Sequence, residues 1–525
     1  MKKRKLKPLH YILIALFLIA ACVSVITLVI KTNNVVANRI PNQEKRIIPN
    51  VRTAVDDILD ELKKAHPDQT AMLLLEDNLE AFAVRVVSAR TAKRTLDLQY
   101  YIWHNDLTGN LLNYEILQAA DRGVQVRLLL DDLNARDKDA LFAILDTHPN
   151  IEIRLFNPIY NRKSQITRSI EMLFRSFSIN RRMHNKAWIV DDNIAIIGGR
   201  NIGNEYFDAD FNTNFFDVDI MVAGTATDDA ISIFNTFWHS DATVALKQIV
   251  KPSEYTLEQL REKVRNIDEG MLKHAKLYLH EIQQTPNINE LLAGEREIFW
   301  SDNAHILSDP PEKAFDEGRA TWLFNNIFSV FEKAQKNIYL VSPYFIPGDE
   351  GIKGFAKLRE KEIDINILTN SLAATDVLMV HGGYTPYRKP LLELGISLYE
   401  VIPFNKIKKS ALGSKGASLH TKMFIIDNAI SFIGSFNFDP RSAMLNTEMG
   451  IFFEQPEITA ELLAIYSNKI NKNNSYHVFL DDKGNVNWED GSDNQLTIWR
   501  HEPETHFFMR GVAKVISWLP IESQL

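Results

Sequence analysis

The feature that most constrains this chain is a pattern written twice. "RRMHNKAWIVDDNIAIIGGRN", from Arg181 to Asn201, returns as "ASLHTKMFIIDNAISFIGSFN", from Ala417 to Asn437. His184 and His420, Asp191 and Asp427, and Asn201 and Asn437 each stand 236 residues apart. A constant offset across the whole motif implies an internal duplication, and 525 residues leave room for two or three domains. The flanking sequence repeats in the same order. "LDLQYYIW", "VQVRLLLDD" and "IEIRLFNP" read as buried strands around the helical "GNLLNYEILQAADRG"; "NIYLVSPYF", "IDINILTN" and "ISLYEVIPF" surround "GIKGFAKLREKE" in the same way. The patterning predicts an α/β protein with two similar domains.

These signals divide the chain. Lys2, Lys3, Arg4, Lys5 and Lys7 lie in a basic segment, 1–10, ahead of an uncharged apolar run, Tyr11–Ile30, whose 20 residues match a transmembrane helix. The basic flank predicts that residue 1 faces the cytoplasm and that the rest of the chain lies outside it, periplasmic or extracellular. Ile19, Ala20, Ala21 and Cys22 also form a passable lipobox, so a lipoprotein cut and lipidated at Cys22 remains the alternative. Residues 31–75 read as a tether, 76–250 as the first domain, 251–300 as a charged helical insert, 301–475 as the second domain and 476–525 as a tail. In the tail, Phe507, Phe508, Val512, Val515, Ile516 and Leu519 share one helical face beside Arg510 and Lys514. That face suits an interfacial helix, or one packed on its own domain.

Within the motif, strand alternation puts His184 and Lys186 on one face, and likewise His420 and Lys422. Asp191, Asp192 and Asn193 read as a hairpin turn. With Val190 opposite Ile194, the tip Gly198-Gly199-Arg200-Asn201 arrives beside His184 and Lys186; the second copy brings Gly434-Ser435-Phe436-Asn437 beside His420 and Lys422. Glycine there lets backbone approach a ligand closely. Imidazole, ammonium, carboxamide and hydroxyl gathered without a carboxylate cluster suit a phosphate, where one group attacks or donates a proton and the others neutralise oxygen charge. Lysine two residues from histidine is a poor metal ligand set, so neither a metal nor another cofactor is expected. Asp191 and Asp427 fall at the far turn, roughly 20 Å from the histidines at about 3.3 Å per residue, and read as structural. Arg181 and Arg182 suit either a lipid phosphate or a solvated loop, and the aromatics of "SPYFIPGD" (Ser342–Asp349) suit either an entrance or a core.

Both "HNKAWIVD" and "HTKMFIID", with the trailing "GGRN" and "GSFN" and an acidic residue after each, resemble the HKD motifs of the phospholipase D superfamily. "LDLQYYIWHNDLTG", "RLLLDDLN" and "GGRNIGNEYF", with the apolar N-terminus, look most like bacterial cardiolipin synthases, nearest the cardiolipin synthase C type. The first copy departs at Gly199, where serine is commoner. The resemblance implies two tandem phospholipase D-like α/β sandwich domains related by a pseudo-twofold, behind an N-terminal transmembrane helix. It implies a phosphatidyltransferase that works through a phosphohistidine. His184 attacks, His420 serves as acid and base, and Lys186, Lys422, Asn201, Ser435 and Asn437 bind phosphate oxygens. Asp217 and Glu448 orient the imidazoles from behind.

The implied partners are membrane phospholipids, namely phosphatidylglycerol and a second phospholipid, with phosphatidylethanolamine an alternative donor. No protein partner is named by the sequence. A net charge of −8 supplies no field for nucleic acid, so none is expected and a superfamily nuclease is disfavoured. A hydrolytic phospholipase D stays open, because it differs only in whether water or an alcohol reaches the intermediate. A non-enzymatic membrane scaffold is disfavoured by two intact motif copies.

Overall fold

The computed structural model describes residues 54–265 and 298–525, except 136–137, 163–167, 170, 173–174, 211–212, 253–254, 404–416, 492–495 and 520; beyond those ranges it describes only 48, 49, 51, 52, 280 and 283. The basic segment 1–10, the expected anchor Tyr11–Ile30 with Cys22, and most of the expected insert therefore lie outside the described residues. Among the described residues no helix is long and apolar enough to cross a membrane.

The first repeat runs α1 (Ala54–Ala65), β1 (Thr70–Leu75), α2 (Asn78–Thr91), β2 (Thr95–Tyr100), α3 (Leu107–Asp121), β3 (Gln125–Asp131), β4 (Ile151–Phe156), β5 (Ala187–Val190), β6 (Ile194–Gly198), β7 (Asn214–Phe216), β8 (Asp219–Gly224), α4 (Thr225–Trp238) and β9 (Thr243–Ala245). Strand β10 (Phe299–Ser301) follows the insert. The second repeat runs β11 (Ala304–Ser308), α5 (Leu323–Glu332), β12 (Asn337–Val341), α6 (Gly348–Glu360), β13 (Asp364–Asn370), α7 (Leu378–Tyr384), β14 (Ser397–Val401), β15 (Ala417–Leu419), β16 (Met423–Ile426), β17 (Ile430–Gly434), α8 (Pro440–Met444), β18 (Met449–Glu454) and α9 (Pro456–Lys469). It closes with β19 (Ser475–Leu480), β20 (Val486–Asp490), β21 (Thr497–Trp499) and α10 (Phe507–Ile516).

Among the described residues the first sheet has the order β10-β1-β8-β6-β5-β2-β3-β4-β9 and the second β11-β18-β17-β16-β12-β13-β14-β19-β20-β21. Eight strands correspond one for one, from β1 and β11 at one side to β9 and β19 at the other. In each repeat the crossover helix makes the central strands parallel, while the motif hairpin adds two antiparallel ones. Val190 pairs with Ile194 in that hairpin, the register expected from the apolar pattern.

Three expected boundaries move. Thr70–Leu75, placed in the tether, is a fully buried strand paired to β8 and β10; its apolar run is sheet interior. Phe299–Ser301, which straddles the expected boundary between the insert and the second domain, returns to the first sheet. Residues after 475, placed in the tail, add β19, β20 and β21 to the second sheet. At the start of the expected insert, Leu257–Arg265 is helical.

Period-two burial builds the layers. Leu96 and Leu98 of β2 face an outer core with α2 and α3, whereas Ala187 and Ile189 of β5 face inward. That inner core joins Phe234 and Trp238 of α4 to Ile425, Ile433 and Leu462 of the second repeat, so the repeats share one continuous apolar interior. A third core, on the outer side of the second sheet, holds α5, α6 and α7.

Candidate active site

The repeats meet at the motif histidines. Backbone N–H of His184 donates to the carbonyl of Thr447, and that of His420 donates to Phe216, each at 2.8 Å. Short parallel ladders flank these bonds: β15 pairs with β7, and Met183 bridges Thr447. Each histidine is thus stitched to the other repeat, one residue before that repeat's acid. His184 Nδ1 lies 2.8 Å from Glu448 Oε2, and His420 Nδ1 lies 2.6 Å from Asp217 Oδ2. The expected acids do stand behind the imidazoles, but in exchanged fashion. Motif spacing carries no such information, because it concerns only one repeat at a time.

Partner chemistry assigns the tautomers. His184 Nδ1 also lies 3.1 Å from the Ser435 carbonyl, which only accepts, so Nδ1 carries the hydrogen. His420 Nδ1 has the ammonium of Lys422 at 3.0 Å, but the closer Asp217 carboxylate takes its N–H. In the neutral ring Nε2 then holds a free lone pair on both histidines. Lys186 Nζ donates to the His184 carbonyl at 2.5 Å, and Lys422 Nζ donates to that of His420.

The charges are felt across the repeats. Burial pushes His184 well down, reinforced by Lys186 and Lys422. Burial and then Lys422 push His420 to about 4, against the pull of Asp217. Both lysines are pushed down by burial, Lys422 to about 8. The acids diverge. For Asp217 burial acts upward, yet the His420 hydrogen bond, Lys422 and Arg200 hold it at about 2. Burial lifts Glu448 to about 7, against Lys186 and the Ser435 hydroxyl.

The remaining expected residues fall in distinct places. Asn201 accepts from Ile102 N–H at 3.1 Å and donates to Tyr206 Oη at 2.9 Å, keeping one N–H spare. Asn437 Oδ1 is buried without a partner; turning the amide over would present its NH2 group instead. Ser435 Oγ donates to Glu448 at 2.5 Å, so its hydrogen points behind the histidine. Asp191 accepts from the backbone N–H of Lys93, Arg94 and Thr95, and Asp427 from those of Gln335, Lys336 and Asn337. Each motif aspartate therefore pins the start of the neighbouring central strand from a left-handed turn, with φ of 53° at Asp191 and 55° at Asp427.

Gly199 has a local cause. A Cβ there would lie 2.5 Å from both carboxylate oxygens of Asp217, so glycine with a short acid replaces serine with a long one. Arg182 is buried against Asp131 and three backbone carbonyls, while Arg181 pairs with Asp316; both arginines are structural. Sequence reading missed Tyr101, edge-on to His184 at 4.9 Å, and Tyr206 and Phe215 around His420. It also missed Asp309, which accepts from Glu448 N–H and pairs with Lys313. The position of Tyr101 at the end of β2 was the one usable signal. Among the described residues no three His, Cys, Asp or Glu gather as metal ligands.

The family model described as cardiolipin synthase, PLD-like domain, matches residues 88–238 and 327–470. The chain is 38% identical to cardiolipin synthase C of Escherichia coli over 465 residues, 87% of this chain and 96% of that protein. The chain belongs to the cardiolipin synthase family of phospholipase D-like proteins. A cardiolipin synthase of Alkalihalophilus pseudofirmus is 25% identical across 76% of this chain and 67% of its own. Among solved structures, a phosphatidylserine synthase of Haemophilus influenzae shares the fold, with a TM-score of 0.56 at 13% identity, covering 89% of this chain and 99% of that one. For this cardiolipin synthase family member, the paired repeats and the family's two-domain match coincide.

Proposed function

We propose that the protein is a phosphatidyltransferase that makes cardiolipin from phosphatidylglycerol and a second phospholipid. The observation that carries this reading is the convergence of two Nδ1-anchored histidines with two lysines, in a chain that spans almost the whole length of its cardiolipin synthase relative. Nε2 of one histidine attacks phosphorus; the P–O bond to the departing alcohol breaks, and the other histidine protonates that oxygen. The resulting phosphohistidine is attacked by the hydroxyl of phosphatidylglycerol, whose proton goes to the second histidine, and the P–N bond breaks.

The electrostatics support His184 as nucleophile. The firm Asp217 anion favours a proton on His420, the acid and base, whereas the Glu448 carboxylate, lifted to about 7, orients Nδ1–H of His184 with a weaker pull for a second proton. An arriving phosphodiester anion strengthens the pull for a proton on His420. Lys186, Lys422 and the spare amide hydrogens of Asn201 and Asn437 hold the nonbridging oxygens; Ser435 acts through Glu448.

In this reading Tyr11–Ile30 anchors the chain in the bacterial membrane with the catalytic body outside the cytoplasm. Helix α10 lies on the bilayer. Its outward stripe carries Phe507 (82% exposed), Phe508 (71%) and, just beyond, Trp518 (71%), with Lys514 among them.

The test is lipid mass spectrometry of a bacterial strain stripped of its own cardiolipin synthases. Cardiolipin is expected with the intact chain and absent with His184→Ala. Phosphatidic acid alone would make the protein a hydrolase, and an equally active His184→Ala would overturn the nucleophile.

A further inference from the structure

The repeats part company between their outer helices. In the first, α2 and α3 pack directly: Phe82 and Val86 share a core with Leu112 and Ile116, and Arg90 pairs with Glu115 at 2.5 Å. In the second, the matching α5 and α6 stand apart around a groove of about 1350 Å³, beyond the roughly 300–1,000 Å³ of ordinary small-molecule sites. Phe324, Phe328 and Phe331 form one wall, Gly351 and Gly354 open the other, and Phe438 is the floor. At Gly354 an added Cβ would touch only Phe328, at 3.4 Å, so the missing side chain keeps the groove wide.

One end of the groove lies near the phosphate site. Its floor residues Phe436 and Phe438 flank Asn437, and Asp439, which also lines it, is close enough for its charge to act on Lys422. At its margin stands Glu522 of the C-terminal segment that follows exposed helix α10. A largely apolar trough with one end near a phosphate site, bordered by the segment that follows exposed helix α10, fits a flexible hydrocarbon tail.

We propose that this groove takes one acyl chain of the phospholipid whose phosphate reaches the histidines. The proposal rests on the phosphatidyltransferase reading and adds an acyl site to the second repeat alone. Contacts between methylenes and the phenylalanine walls make the groove a chain-length selector.

The full chain in mixed micelles is assayed with dioleoyl- and dihexanoyl-phosphatidylglycerol, which share a headgroup and differ in tail. Gly354→Leu fills the groove with a better helix former. The ratio of kcat/KM for dioleoyl over dihexanoyl substrate is expected to fall about tenfold relative to the parent chain. Phe328→Trp, filling the same space from the opposite helix, should move the ratio the same way and serves if Gly354→Leu does not fold. An unchanged ratio in a folded variant overturns the acyl site and leaves the groove to another occupant, such as an apolar protein segment. Failure of the parent chain to turn over either lipid would instead sink the phosphatidyltransferase reading.

Discussion

In the first repeat Arg85 and Arg200 converge on Asp219, with all three side chains buried. In the second, Phe436 stands in place of Arg200, and Gly450 in place of Asp219 admits the ring of Phe432, which stacks on Phe424 and packs against Phe452. The contrast recurs beside the histidines: Arg182 pairs with Asp131 in one repeat, while Ser418 donates to Asn370 in the other. Buried ion pairs rarely outperform apolar packing in stability, so stability is a poor explanation for them. Their electrostatic consequence is more informative. Arg200 helps to hold Asp217 low, whereas the aromatic repeat has no arginine at that position, and the charges of Lys186 and Lys313 do not keep Glu448 from rising to about 7. Two nearly symmetric imidazoles thereby receive unequal anions. The aromatic repeat is also the one that leaves a groove.

The deepest break in this symmetry is removal of an imidazole. His184→Ala and His420→Ala should each lower phosphatidyl transfer on the order of 10³-fold or more, and the double variant little further, because the two act as a unit; single-turnover assays with labelled lipid check this. Trapped phosphoenzyme should persist in His420→Ala and vanish in His184→Ala, and the reverse pattern would exchange their roles.

Next in size is the charge contrast. Asp219→Ala leaves buried arginines uncompensated and should cost about 3–5 kcal/mol in urea denaturation. Phe436→Leu, at the position matching Arg200, should cost under about 1.5 kcal/mol. Equal losses would erase the distinction between the repeats. Gly199→Ser, which makes the first tip resemble the second, should cost about 1–3 kcal/mol by overpacking against Asp217.

The smallest effects lie in the pH profile. Glu448 gains its proton below about pH 7 and Lys422 loses its own above about pH 8, so kcat/KM should fall on both sides. Asp217, at about 2, adds no limb in this range. Ser435→Ala removes a hydrogen bond that favours the Glu448 anion, and should move the acid limb to higher pH. A limb that stays put would detach Ser435 from Glu448.

The duplication, the α/β order and the hairpin register were legible because each follows from local periodicity and spacing. Strand alternation alone put His184 beside Lys186, and the turn residues put Asp191 and Asp427 at the far end. The tether boundary was misjudged because Thr70–Leu75 shows an apolar run with no partner in its own neighbourhood; β8 and β10, far along the chain, make it a strand. Gly199 looked like a lost hydroxyl and is explained only by the Asp217 carboxylate occupying its space.

The sequence by itself determined that two like domains each present a histidine and a lysine on one strand face, because a two-residue period needs no tertiary information. Only the tertiary structure decided that each histidine is held by the other repeat's acid, that Asp217 and Glu448 differ in charge preference, and that one helix pair opens into a groove. Those properties depend on burial and on contacts between residues hundreds apart, where desolvation and neighbouring charge, rather than local pattern, set the outcome.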